Sequence, residues 1–108
     1  MLNPRKLSKA ELKDNDQLYK GCTMLEPRQW LDSAIVGKDA ATGGVIYDYD
    51  TVVECFCLKD GLSLEQAEEM VDFNTERSLS FMPDPKPILQ RQSESLDTWG
   101  DIWTDDDE

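Results

Sequence analysis

The sequence predicts an α+β fold: a small single domain with a short β-hairpin or sheet packed by two or three helices, plus an acidic C-terminal tail. Three observations carry this. Val45 to Leu89 alternates a strand, a helix, a tight turn, a second helix and a proline-bounded apolar segment. The length, 108 residues, suits one modest core. Charged residues make up 31% and hydrophobic ones only 39%, so part of the chain is expected outside that core. The expected boundaries are 1–21 for a short N-terminal helix or arm, 22–91 for the core domain and 92–108 for the tail.

At the N-terminus, Leu7-Ser8-Lys9-Ala10-Glu11-Leu12 has the form of a helix start. Ser8 caps it, Glu11 closes a capping box, and Leu7 staples against Leu12. Asp14-Asn15-Asp16 is poor helix material, so the helix is expected to be short, with Leu18 and Tyr19 docking it before Gly21. Pro27 suits the first position of a one- or two-turn helix anchored by Trp30 and Leu31. Ala34-Ile35-Val36 is expected as a short buried strand, Gly37–Gly44 as a loop of small residues, and Val45-Ile46-Tyr47 as the second strand of an antiparallel hairpin.

Asp48 or Asp50 caps the next helix, whose apolar stripe is Val52, Val53, Phe56 and Cys57. Gly61 ends it in the left-handed conformation. Ser63 and Gln66 form a second capping box, and Ala67, Met70, Val71 and Asn74 share a face of the helix that follows. Asn74-Thr75 is expected to close that helix, and Leu79-Ser80-Phe81 to be extended. Pro83, Pro85 and Pro87 forbid helix, and Pro87-Ile88-Leu89 adds a short edge strand.

Charge narrows the functions available. The net charge is −12. Residues 92–108 hold seven acids and no base, whereas residues 1–20 hold five bases against three acids. Such a chain is repelled by nucleic acid and by anionic membranes, and its natural partner is the basic surface of another protein. No apolar run approaches a membrane span, and the N-terminus lacks the apolar stretch of a signal peptide. Three cysteines, an odd number, suit a reducing cytoplasm better than a disulfide framework.

Catalytic and metal-binding patterns are weak. Tyr47-Asp48-Tyr49-Asp50 offers two carboxylates that could hold Mg²⁺ or Ca²⁺, but the glycine and distant bidentate glutamate of a calcium loop are absent. Helix capping accounts for the same residues. Cys55-Phe56-Cys57 is too closely spaced for a zinc knuckle, and the chain has no histidine, which removes every His-based triad. Buried structural thiols are the expected reading. Thr42-Gly43-Gly44 lies in an acidic setting unsuited to phosphate. No cofactor, metal or catalytic residue is therefore expected.

The tail is the expected partner-binding element. Leu96, Trp99, Ile102 and Trp103 fall on one side of a short helical projection, with Asp105, Asp106, Asp107 and Glu108 beyond them. Tryptophan is a preferred interface anchor, and an acidic apolar segment suits a groove with a basic rim. A solubilising tail, or one that packs on its own domain, has the same composition.

Asp32 to Gly37, Val45 to Asp50, Gly61-Leu62-Ser63, Glu65 to Glu69, Asn74-Thr75 and Pro87-Ile88 form an ordered pattern over slightly more than half the chain. It resembles that of a widespread group of small bacteriophage-encoded proteins, mostly of unassigned function. The resemblance implies a phage origin and a location in the host bacterial cytoplasm; it brings no reaction, cofactor or catalytic residue. The resulting expectation is a non-enzymatic phage accessory protein that binds a host or phage protein through its acidic surface and tail, in its sharpest form a DNA mimic. The alternatives are a metal-dependent or nucleotide-related enzyme centred on Asp48 and Asp50, and a structural or assembly protein of the phage particle.

Overall fold

The computed structural model describes residues 3–91, and within them the chain is an α+β domain. Helix α1 (Lys9–Leu18) precedes a short α2 (Arg28–Leu31), which tightens into a 3₁₀ turn at Asp32–Ala34. Strands β1 (Ile35–Lys38) and β2 (Val45–Asp48) form the hairpin, and β2 runs directly into α3 (Tyr49–Asp60). Helix α4 (Leu64–Met70) continues as a π-helical turn, Val71–Glu76. A 3₁₀ turn at Leu79–Phe81 leads to β3 (Ile88–Gln90).

The sheet order is β1-β2-β3. β1 pairs antiparallel with β2 through a bulge between Ile35 and Gly37. β3 pairs parallel with β2, with Ile46 opposite Ile88 and Asp48 opposite Gln90. A parallel neighbour needs a crossover, and the α3–α4 helix pair supplies it. The core lies between this helix pair, α2 and one face of the sheet. Leu31, Ala34, Val45, Tyr47, Val52, Cys55, Ala67 and Val71 are all at 0% exposure there.

Both capping boxes form as the residue pattern requires. Ser8 Oγ accepts from the Glu11 N–H and Ser63 Oγ from the Gln66 N–H, each with the reciprocal side-chain bond. Gly61 takes φ 69° at the end of α3. Gly44 answers a different need. A Cβ there would collide with the Lys86 carbonyl oxygen, so the hairpin loop and the segment before β3 can pack this closely only over glycine.

Several elements depart from expectation for local reasons. Helix α1 runs through Asp14-Asn15-Asp16, because the Asn15 amide donates to Asp32 (3.1 Å) and Asp16 accepts from Arg28 (2.7 Å). Tertiary bonds thus outweigh weak propensity. Pro27 is the residue before α2, one position earlier than expected. Ala34 belongs to the 3₁₀ turn, and β1 is an edge strand with Val36 exposed. Asn74-Thr75 does not close the second helix. It lies inside the π-helical turn, with Asn74 facing solvent. Leu79-Ser80-Phe81 is a 3₁₀ turn, and Phe81 is almost fully exposed.

Candidate functional site

The strongest chemical feature of the described residues is the acidic surface of α3, α4 and the π-helical turn. Between Asp48 and Glu76 the chain places nine carboxylates and a single base before Arg77. Their arrangement follows from amphipathicity. Val52, Val53, Cys55 and Phe56 turn inward from α3, and Ala67 and Val71 inward from α4 and the turn. Asp50, Glu54, Asp60, Glu65, Glu68 and Glu69 are left exposed. Lys59, the base on this stretch, is paired with Asp60 at 2.9 Å. Large apolar side chains are exposed on the same elements: Leu58, Leu64 and Phe73. An acidic surface carrying exposed apolar side chains can attract a basic partner and then hold it by desolvation.

Asp48 and Asp50 play different parts. Asp48 is buried and caps α3, its Oδ2 accepting from the Thr51 N–H (3.0 Å) and the Thr51 hydroxyl (2.6 Å). Asp50 lies exposed in the first turn, where a negative charge opposes the helix dipole favourably. Among the described residues, no three Cys, Asp or Glu side chains converge as metal ligands do. Cys55 is buried, its thiol 3.3 Å from the Trp30 carbonyl oxygen, and burial pushes its pKa up. Cys57 and Cys22 are only partly buried, so the expected burial of the thiols holds fully for Cys55 alone.

A second cluster joins the acidic surface to the end of the sheet. The Tyr49 hydroxyl donates to Asp72 at 2.8 Å, and burial together with this carboxylate pushes its pKa up to about 12. The Arg91 guanidinium stacks on the Tyr49 ring, 3.7 Å from its centroid, and bonds Asp72 (3.2 Å) and Glu76 (3.0 Å). Arg91 is therefore held at the point where β3, the start of α3 and the π-helical turn meet. These contacts join residues 15 and 19 positions apart, with no local motif to signal them. The partner-binding residues expected in the tail, Leu96, Trp99, Ile102, Trp103, Asp105, Asp106, Asp107 and Glu108, lie outside the described residues. Comparisons with protein-family models, curated proteins and solved structures found no match to this chain.

No helix among the described residues is long and apolar enough to cross a membrane.

Proposed function

We propose that this chain is a non-enzymatic, phage-encoded accessory protein that works in the host bacterial cytoplasm by binding the basic surface of a host or phage protein. One observation carries the reading: the exposed acids of α3 and α4 have no free base among them, and Leu58, Leu64 and Phe73 stand exposed on the same elements. Carboxylates give long-range attraction to a basic partner, and the apolar side chains give short-range adhesion. Arg91 is held beside Asp72 and Glu76, and the sequence beyond it adds seven acids and two tryptophans, residue types suited to the same kind of partner. Phage origin rests on the residue pattern from Asp32 to Ile88. A partner that normally binds DNA would make the protein a DNA mimic.

The test is co-purification from bacterial lysate of three proteins: the full chain, a chain ending at Arg91, and a full chain carrying Glu65→Gln, Glu68→Gln and Glu69→Gln. The full chain should retain a partner that salt releases. The other two should bind it more weakly, with the glutamine variant showing slower association and a flatter salt dependence. Equal affinity for all three would remove both the acidic surface and the tail from the contact.

A further inference from the structure

The outer side of the α3–α4 pair is ordered along its length. Leu58 lies in the last turn of α3 and Leu64 opens α4, so both stand at the end of the pair where residues 61–63 join the helices. Each is 59% exposed. Asp50, Glu54 and Leu58 recur every four residues on α3, on the side away from the buried Val52, Val53 and Phe56. On α4, Leu64 and Glu68 repeat that spacing from the joined end outward, with Glu65 and Glu69 exposed beside them. Among the described residues, none of Asp50, Glu54, Glu65, Glu68 and Glu69 joins an ion pair. Each helix therefore shows an exposed leucine at the joined end and, one turn away, an unpaired glutamate.

This order selects among occupants. A second copy would bring the same negative charge, as would nucleic acid, and both are repelled. An extended polycation would meet the carboxylates and leave both leucines in water. A basic helix with an apolar side meets both. Helices α3 and α4 pack against each other, and two helices side by side leave a groove that takes the ridge of a third. Carboxylates four residues apart, about 6 Å of rise, match lysines or arginines at the same spacing on a partner helix.

We propose that the outer face of α3 and α4 receives an amphipathic helix of the partner protein, its apolar residues seated on Leu58 and Leu64 and its bases, one turn further along, against Glu54 and Glu68. This rests on the reading of the chain as a binder of basic protein surfaces and adds the form of the element bound. The leucines carry the discrimination, because charge alone draws any polycation to this face.

The test uses full-length protein and two synthetic peptides of the same leucine and lysine content. One carries its leucines along one helical face; in the other the same residues are shuffled so that no apolar face forms. Titration calorimetry at physiological salt should give the amphipathic peptide an affinity roughly tenfold above the shuffled one. Leu58→Ser with Leu64→Ser should remove that preference and leave the weaker, salt-sensitive binding common to both peptides. In the unmutated protein, the methyl resonances of Leu58 and Leu64 should shift with the amphipathic peptide and stay nearly still with the shuffled one. Equal affinity for the two peptides, a preference that survives the double serine variant, or methyl shifts confined to other residues overturns the inference. If a lysate partner is nonetheless captured and released by salt, the proposed function stands without it. A leucine-dependent preference with no partner captured from lysate would count against the proposed function and leave this inference standing.

Discussion

At the scale of single residues, stability rests on polar groups that bury themselves only with a partner. Tyr47 is fully buried, and its hydroxyl accepts the Leu25 N–H at 2.9 Å. Burial holds its pKa well above the usual tyrosine range, so the hydroxyl stays neutral. Tyr47→Phe strands the Leu25 donor and should cost about 1–3 kcal/mol in denaturant unfolding. The pair Arg28–Asp32 works in the same way, with Asp32 receiving Arg28 and Asn15. Glu11 gives a dependence on pH. Its bond to Arg5, reinforced by the Ser8 N–H, lowers its pKa from 4.5 to about 2. A carboxylate depressed in the folded state stabilises above its unfolded value and loses that contribution as pH falls through the folded one. Stability should therefore decline between pH 4.5 and about 2 partly through Glu11. Thermal melts of Glu11→Gln should show a shallower decline over that window.

At the scale of elements, the chain's local grammar was legible and its long-range bonds were not. The two capping boxes, the Asp48 cap, the Gly61 stop, the hairpin and the edge position of β3 all follow from residues within a few positions of one another. The continuation of α1 through Asp14-Asn15-Asp16 depends on Arg28 and Asp32, more than a turn of chain away, and no window of sequence displays that. The π-helical turn hid for the same reason, since Asp72 and Glu76 face Arg91 from across the crossover. At the candidate site, the acids and their helical spacing were readable, whereas the Tyr49–Asp72–Arg91 cluster was not. The apolar face of α3 was placed well, apart from Cys55, which is more deeply buried than Cys57. Phe56→Ala should cost on the order of 3–5 kcal/mol in urea unfolding, because Phe56 is 8% exposed and sits within the core cluster. A cost below about 1 kcal/mol would mean that the α3 face contributes little to the core.

At the scale of the whole molecule, charge dominates. A net charge of −12 on 108 residues works against compactness through self-repulsion, and salt screens it. Raising the ionic strength from about 10 mM to about 150 mM shortens the screening length from about 30 Å to about 8 Å, and the melting temperature should rise with it. A fall would mean that ion pairs such as Arg28–Asp16 and Arg91–Glu76 outweigh the repulsion. The order of the sheet has a consequence of another kind. β2 is the middle strand, and its second neighbour arrives only after α3 and α4 have been traversed, 42 positions on from Ile46 to Ile88. Suppose a protease nicks the exposed Pro83–Asp84 stretch and β3 drifts away. β2 then becomes a bare edge, with a row of backbone donors and acceptors open to any other chain. Damage at one surface loop would thus turn a self-contained protein into a template for aggregation, and the bond from the Thr23 hydroxyl to the Pro83 carbonyl guards against that outcome by tying the loop to the body of the domain.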